Sequence, residues 1–549
     1  MSTSTHTTRL GPIEIEVIRN ALNAAAAEMD VTIWRTSRST IVRELLDYST
    51  AVFDADGANL AQSARIPSHL NSMTHALRTL LADHVPPDAW NEGDVVIFND
   101  PYCGGQHLPD ILAFRPVFHD GRRIAFVGTL CHHIDVGGLV AGSYAAKATE
   151  IFQEGLRIPP VKIIEAGRRN EAVFAIIRQN IRKPDLLLGD LASQLASLEV
   201  GAAALLRLAR RFGAAAVIEA GVRILDMSEA GMRAAIGRMP DGTYEFEDFL
   251  DDDGIDIGKR IRLHVKLTIS GETALVDLSG CSPQAAGPVN ATLASTNASV
   301  MFGLMCCADS SLHMSAGCYR PITVVAPEGL VVNARHPAPV AHRIAVGHRL
   351  LNAMMGALHQ AVPDLIPAAY YGNSYVTTFQ TVAATGNREV LVEIEIGGSG
   401  AHPAKDGVNA FASGMHNNAN IPIEMIEAQL PLTILRYELR DGSGGAGRFR
   451  GGLGLVREWR IDSARCFFTA NMDRFDHAPY GLAGGSPAAT GALVLRRDGA
   501  ETPIPPKTDN MPLRQGDVVR LETSGGGGFG SPADRDPADR ARDTRLHYA

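Results

Sequence analysis

The stretch from Asn99 to Gly138 is the polar centre of an otherwise apolar region, and the rest of the chain is organised around it. It carries four histidines and four acidic residues among glycines and prolines. Residues 93–98 have the pattern of a turn followed by a short buried strand, and residues 122–131 have the pattern of a second buried strand. We therefore expect two neighbouring apolar strands that enclose polar loops.

Two groups of polar side chains stand out in this stretch. His107 and Asp110 lie three residues apart on a loop that contains proline, while His132 and His133 follow the second strand. Because the side chains of a strand alternate between its two faces, these last two histidines point in opposite directions. Only one of them can face the loop, so the sequence predicts two imidazoles and one carboxylate close together.

This set of donors suits a divalent metal ion. Mixed nitrogen and oxygen ligands bind Zn²⁺, Mn²⁺ or Fe²⁺, and a fourth ligand is available from Asp47 or from Asp135. The alternative is that these polar groups cap turns in a glycine-rich loop. A histidine three residues before an aspartate is common by chance, so the spacing alone leaves both interpretations open.

Long runs of the sequence resemble one known family. NDPYCGGQHLPD (99–110), HHIDVGG (132–138) and EIFQEGLRIPPVKI (150–163) are similar to the B subunit of the hydantoinase/oxoprolinase family. That family includes the B subunits of ATP-dependent N-methylhydantoinases and caprolactamase, and it is related to the large subunits of acetone and acetophenone carboxylases. The resemblance continues in the expected order through ELLDYSTAVFD (44–54), NIRKPDLLLGDLASQ (180–194), GCYRPITVVAPEGLVVNARHPAPVAHR (317–343), GGSGAHPAKDGVNAF (397–411), residues 420–454 and SGGGGFGSP (524–532).

The resemblance implies a set of site residues. The metal ligands of the family fall on His107, Asp110 and His132, which carry the catalytic role, with Asp47 as the fourth ligand. The metal can be Zn, Mn or Fe, because its identity differs between branches of the family. Four further residues are candidates for orienting the ligands or contacting the substrate: His69, His133, Asp135 and Glu154.

No phosphate-binding loop is recognisable. The run GGSGAHPAKDG (397–407) lacks the G-x-x-x-x-G-K-[ST] order of a P-loop, and no dinucleotide-binding fingerprint follows a strand. Since the reactions of the family consume ATP, the resemblance implies that ATP binds to a partner, the A subunit. His402, Lys405 and His416 in this glycine-rich region are either substrate contacts or polar loop residues.

The resemblance also implies an activity. The chain is expected to be the B subunit of an ATP-dependent cyclic-amide hydrolase that opens a hydantoin, lactam or 5-oxoproline ring. The A subunit phosphorylates the amide oxygen, and the metal lowers the pKa of a water that attacks the activated carbon. Two alternatives stay open: a subunit of an ATP-dependent ketone carboxylase, and a non-catalytic scaffold whose metal is structural.

Composition argues against several other classes. The chain has 549 residues, and its net charge of −9 without a basic block argues against nucleic acid as a partner. It has no run of 18 apolar residues and no signal-peptide pattern near its start, so we expect a cytoplasmic protein without membrane contact. Seven cysteines without a C-x-x-C pair fit reduced thiols. Cys103 and Cys131, beside the proposed site, are either small buried hydrophobic residues or a catalytic thiol.

The remaining pattern predicts a large multilayer mixed fold, α/β to α+β. Helical segments fall mainly in the first half, at 12–46, 67–81 and 171–240, whereas the second half is rich in strands and glycine and ends in a small β module. The change of character predicts two parts, 1–240 with the metal-site motifs and 241–549, whose elements can be interleaved.

Overall fold

The computed structural model describes residues 10–382, 386 and 388–548. Residues 1–9, where the absence of a signal peptide is predicted, lie outside this range. Proline occupies the first turn of several helices, where its missing N–H is not needed. The helices are α1 (Pro12–Thr36), α2 (Thr40–Arg43), α3 (Pro67–Thr79), α4 (Glu171–Asn180), α5 (Pro184–Phe212), α6 (Ala214–Ile236), α7 (Leu293–Met305), α8 (Arg343–Ala361), α9 (Ile423–Gln429) and α10 (Pro537–Arg545).

A seven-stranded antiparallel sheet carries the polar centre, in the strand order β2-β1-β5-β4-β3-β6-β7. The sequence pattern predicts two strands around this centre, and the structure adds β4 between them. Pro116 and Arg115 interrupt the apolar alternation of β4, which explains why it escapes pattern analysis. The strands are β1 (Tyr48–Asp54), β2 (Asn59–Gln62), β3 (Val95–Phe98), β4 (Asp110–His119), β5 (Arg122–His132), β6 (Val161–Glu165) and β7 (Arg168–Arg169).

Three smaller sheets follow in the second half. The first has the order β11-β10-β9-β8, the second β13-β12-β16-β19 and the third β14-β15-β20-β17-β18. Their strands are β8 (Gly242–Leu250), β9 (Ile261–Ser270), β10 (Thr273–Asp277), β11 (Ile322–Val325), β12 (Tyr375–Val382), β13 (Arg388–Glu395), β14 (Leu432–Leu439), β15 (Leu455–Ile461), β16 (Cys466–Asn471), β17 (Ala492–Arg497), β18 (Ala500–Pro503), β19 (Lys507–Leu513) and β20 (Val518–Glu522).

The core joins elements that are far apart in sequence. One hydrophobic cluster extends from Ile33 on α1 to Leu521 on β20. The helix α8 is buried along almost its whole length and packs on α7, β8 and β9. Several sheets with helices packed between them make a multilayer α+β fold, so the predicted fold class is confirmed.

The helix α5 is the one helix of the described residues that is long and apolar enough to cross a membrane. It packs against α1 and against β4 and β5 of the seven-stranded sheet. Its apolar composition is therefore accounted for by burial within the fold.

Glycine-rich segments near the C-terminus lie side by side without forming strands. The N–H of Gly445 donates to the carbonyl of Gly526, and the N–H of Gly526 donates to the carbonyl of Gly452, both at 2.9 Å. A Cβ at Gly526 would lie 1.9 Å from the carbonyl oxygen of Ser399. The segments approach so closely that only glycine fits between them.

Candidate metal centre

Three of the predicted ligands meet at one end of the seven-stranded sheet. Asp110, the first residue of β4, lies directly opposite His132, the last residue of β5. His107 precedes β4, and its Nε2 lies 3.3 Å from Oδ1 of Asp110. All three side chains are buried, and one donor atom of each lies within 4.8 Å of the others, which is close enough to hold one metal ion.

Each of these side chains uses one polar atom to fix its orientation. Nδ1 of His107 is hydrogen bonded to the carbonyl oxygen of Ala341 (3.0 Å), and Nε2 of His132 to the hydroxyl of Tyr144 (2.8 Å). Oδ2 of Asp110 accepts a hydrogen bond from Nη2 of Arg343 (2.7 Å). Partners of this kind set the tautomer and the direction of metal-binding groups.

The second polar atom of each side chain makes no hydrogen bond with the part of the chain that the structure describes. His107 Nε2, His132 Nδ1 and Asp110 Oδ1 are buried and have no hydrogen-bond partner among the described residues. An unsatisfied buried polar atom costs about 1–3 kcal/mol, so three on neighbouring side chains need an explanation. Two imidazole nitrogens and one carboxylate oxygen fit Zn²⁺, Mn²⁺ or Fe²⁺, and a cation among these side chains would bind one donor atom of each.

The protonation states favour a cation as well. Burial, followed by the charge of Arg343, lowers the pKa of His107, and burial, followed by the charge of His107, lowers that of His132 well below its usual range. Burial acts to raise the pKa of Asp110, but the adjacent imidazole of His107 and the charge of Arg343 outweigh it and hold this pKa well below the usual range. Neutral imidazoles and an ionised carboxylate are the forms that bind metals.

Asp47 and His69 complete the wall of the site. Leu46 takes a left-handed conformation (φ 62°) just before β1, and the carbonyl of Asp47 accepts a hydrogen bond from the N–H of His132 (3.0 Å). Nε2 of His69 lies 3.5 Å from Oδ1 of Asp47 and 3.8 Å from Oδ1 of Asp110. Burial, followed by the charge of Asp110, raises the pKa of Asp47 to about 7, while burial lowers that of His69 to about 4.

A cavity of about 20 Å³ opens between these residues, with room for one water molecule. A ring-sized substrate can therefore enter only when the walls separate. The polar residues that line it include Asp47, His69, His132, Arg343, Ser374 and His416.

The structure places other predicted residues away from the cavity. His133 points to the opposite face of β5, where its Nε2 lies 3.1 Å from Oε1 of Gln194 on α5. Asp135, the second candidate for the fourth ligand, instead pairs with Arg182 (2.9 Å) and accepts turn hydrogen bonds. Asp135 therefore organises the loop after β5.

Glu154 contacts the site indirectly, through the backbone of Ala341. Its Oε1 accepts hydrogen bonds from the N–H groups of Val340 (2.7 Å) and Ala341 (2.8 Å), and the carbonyl of Ala341 is the partner of His107. His402 and Lys405 pair with each other through an isolated backbone bridge and do not line the cavity. His416 does line it.

The two cysteines beside the site are poor nucleophiles. Burial raises the pKa of the Cys103 thiol to about 12 and that of Cys131 well above its usual range. All seven cysteines are free, as the sequence predicts. The side chains of Cys103 and Cys131 therefore act as packing residues.

Some site residues have no recognisable signal in the sequence. Tyr144 and Ser374 lie in segments that carry no motif, and Arg343 ends the run 317–343 without a role that the sequence indicates; all three line the cavity. Only the fold shows that they meet the ligands.

Comparisons with known proteins agree with this architecture. The family model described as hydantoinase B/oxoprolinase matches residues 11–532. The chain is 32% identical over 549 residues to the caprolactamase subunit beta of Pseudomonas jessenii, with coverage of 97% of this chain and 93% of that protein. The crystal structure of ATP-dependent caprolactamase from Pseudomonas jessenii has a TM-score of 0.91 at 30% identity, and the match covers 98% of this chain and 94% of that chain.

The nucleotide-free structure of acetone carboxylase also has a TM-score of 0.91, at 19% identity, and the match covers 98% of this chain and 78% of that chain. At this identity the likeness shows a shared fold. The family match over almost the whole chain and the relative above 30% identity carry the assignment further: the chain belongs to the hydantoinase B/oxoprolinase family.

Proposed function

We propose that this chain is the B-type subunit of an ATP-dependent hydrolase that opens a cyclic amide of the hydantoin, lactam or 5-oxoproline type. One observation carries the proposal: three buried side chains, His107, Asp110 and His132, bring one donor atom each within 4.8 Å of the others in a chain of this family. The relative above 30% identity is named as a caprolactamase subunit, and the crystal structure of caprolactamase from the same organism is titled ATP-dependent.

His107, Asp110 and His132 hold a divalent cation, Zn, Mn or Fe, with Asp47 as the fourth ligand. Such a cation would polarise a water molecule and lower its pKa, which eases the loss of a proton as the water attacks the ring carbon. The chain's own groups prepare the site: Tyr144 and the Ala341 carbonyl orient the imidazoles. The cavity has room for only one water molecule, and most of the side chains that line it are buried, which strengthens electrostatic interactions within it.

ATP acts on a partner subunit. The sequence contains no P-loop order and no dinucleotide fingerprint, and the caprolactamase relative is itself named as one subunit. An A-type subunit therefore phosphorylates the amide oxygen, which makes the ring carbon electrophilic. Both subunits act in the cytoplasm as a hetero-oligomer, without nucleic acid or membrane. The likeness to acetone carboxylase does not favour carboxylation, because it shows the fold alone.

The direct test is to co-purify the chain with an A-type partner and supply ATP with hydantoin, 5-oxoproline or caprolactam. We expect ring-opened product from at least one of them, measured by mass spectrometry together with phosphate release. Asp110→Asn should abolish product. His119→Ala, at the far end of β4 from the site, is the matched control and should leave it unchanged. A parallel reaction supplies the same complex with ATP, acetone and bicarbonate. Carboxylation of acetone there, without opening of any of the three rings, would overturn the proposal.

A further inference from the structure

The wall of the cavity that faces the metal ligands carries a second polar cluster. Ser374, just before β12, and His416, on the loop before α9, line the same cavity as Asp47 and His132. Both are buried, with 2% of Ser374 and 6% of His416 exposed. Neither belongs to the set of metal ligands.

Short hydrogen bonds join this cluster into one network. Oγ of Ser374 lies 2.5 Å from Nε2 of His416, and Nδ1 of His416 lies 2.7 Å from the hydroxyl of Tyr371. On the other side, Nε2 of His348 lies 3.3 Å from Oγ of Ser374, and its Nδ1 lies 2.7 Å from the hydroxyl of Tyr370. The network is satisfied when Ser374 donates to His416 and His348 donates to Ser374.

His416 is a neutral imidazole whose Nε2 lies within hydrogen-bond distance of Oγ of Ser374, in position to accept the proton of that hydroxyl. None of its hydrogen bonds within the described chain goes to a carboxylate. Burial, followed by the charge of Arg343, lowers the pKa of His416 to about 3. Because burial disfavours the charged form, an imidazolium formed in such a place returns its proton readily to Oγ of Ser374.

We propose that the hydroxyl of Ser374, relayed by His416, carries a proton from the attacking water to the ring nitrogen that leaves when the amide bond breaks. This inference rests on the proposed function and deepens it. In this proposal Ser374 is the catalytic residue, because its side chain lines the cavity where the ring must bind, and His416 and Tyr371 act through it. The need is chemical: an amine anion is a very poor leaving group, so the nitrogen must gain a proton as it departs.

The transfers balance in two steps. First, an O–H bond of the water breaks and its oxygen bonds to the ring carbon. The proton passes to Oγ of Ser374, while the hydroxyl proton of Ser374 passes to Nε2 of His416. Second, the C–N bond breaks and nitrogen keeps the electron pair. The nitrogen takes the hydroxyl proton of Ser374, and His416 returns its proton to Oγ. Both residues end as they began. The opened chain still carries the phosphoryl group on its carbonyl carbon as an acyl phosphate, and a second water hydrolyses it to the carboxylate and phosphate.

The test uses the complex with its A-type partner and whichever of hydantoin, 5-oxoproline and caprolactam the wild type opens fastest. In Ser374→Ala we expect kcat to fall about 100-fold with KM unchanged, the size typical of lost general acid–base catalysis. Metal content should stay at the wild-type level. ATP consumed per ring opened should rise, because phosphorylation by the partner continues. Ser374→Thr, which keeps a hydroxyl, should recover most of kcat.

Ser299→Ala is the matched control, since Ser299 is a buried serine whose hydroxyl bonds to the carbonyl of Ser295 within α7 (3.3 Å). It should behave as wild type. A wild-type kcat in Ser374→Ala, or an unchanged ratio of ATP to product, would overturn the relay alone. If the wild-type complex opens none of the three rings, the proposed function falls and the relay with it.

If Ser374→Ala lost its fold or its metal, it would not distinguish a proton relay from a structural role. A milder variant is therefore tested beside it. Tyr371→Phe removes only the hydroxyl beside Nδ1 of His416. A smaller fall in kcat with a raised ratio of ATP to product supports the relay. If Ser374→Ala does not fold, an unchanged ratio of ATP to product in Tyr371→Phe overturns the relay.

Discussion

Arg343 and Asp110 divide the two oxygens of one carboxylate between two tasks. Nη2 of Arg343 donates to Oδ2 of Asp110 across 2.7 Å, and both side chains are buried. Oδ1 is left free, 3.3 Å from Nε2 of His107. The pair connects the start of β4 to the start of α8 and directs one carboxylate oxygen toward the proposed metal. It also joins the two halves of the chain at that point.

Replacing Arg343 by leucine should destabilise the metal-free protein by about 3–5 kcal/mol, because the Asp110 carboxylate is then buried without its partner. Urea unfolding measures the change. Arg207→Leu is the control, since the Arg207–Glu28 pair is 61% and 53% exposed and such pairs contribute about 0–1 kcal/mol. Equal unfolding midpoints for the two variants would contradict this role of Arg343.

Removing two ligands should empty the metal centre. We expect about one Zn, Mn or Fe per wild-type chain and none in the double variant His107→Ala/His132→Ala, because too few donors remain. Elemental analysis of proteins purified in parallel without chelator measures this. His119→Ala should keep its metal. A wild type without metal would show that the chain is a scaffold and that the chemistry belongs to its partner.

The single variant His107→Ala separates a catalytic metal from a structural one. A catalytic site keeps a position for water, whereas a structural site is closed by four protein ligands. We expect the variant to fold and to assemble with the A-type partner but to open no ring. Circular dichroism and size-exclusion chromatography check the fold and the assembly. Loss of the folded state would instead assign the metal a structural role.

Local rules account for the part of the site that the sequence predicts. Alternation along β5 implies that His132 and His133 face opposite ways, and the structure has this arrangement. Arg343 could not be predicted, since it lies 233 residues after Asp110 in the chain and meets it only through packing of α8. Asp135 is the converse case: it lies near the ligands in sequence, but Arg182 neutralises it elsewhere. Proximity along the chain is a poor guide where tertiary packing decides.

Glu154 keeps its proton to an unusually high pH. Burial raises its pKa to about 8 from the ordinary value of 4.5, although the backbone N–H groups of Ala341 and Val340 oppose the rise. Oε2 is buried without a partner among the described residues, as suits a protonated carboxyl. The folded state therefore binds one proton more than the unfolded state between these two pKa values. The contribution of the Glu154 carboxyl to the stability of the folded protein is complete below pH 4.5 and is lost as the pH rises through about 8.

Glutamine mimics the protonated carboxyl and cannot titrate. Between pH 4.5 and about 8, the free energy of unfolding of the wild type should fall relative to that of Glu154→Gln. The fall should be at most about 1.4 kcal/mol per pH unit. Chemical unfolding of both metal-free proteins at several pH values measures the difference. Parallel stability curves for the two proteins would show that Glu154 ionises normally.

The packing of glycine segments makes Gly526 a position where a single methyl group is not tolerated. An added Cβ would lie 1.9 Å from the carbonyl oxygen of Ser399, and this obstacle is backbone that cannot rotate away. Gly526→Ala should therefore break the hydrogen bonds to Gly445 and Gly452 and lower stability by about 3 kcal/mol or more, the upper range for overpacking. Thermal unfolding and soluble yield measure the loss. In the control Gly221→Ala on α6 the nearest atom is the flexible end of Leu60 at 3.2 Å, and alanine suits a helix better than glycine. If both variants unfold at the melting temperature of the wild type, close packing of the backbone does not stabilise this region.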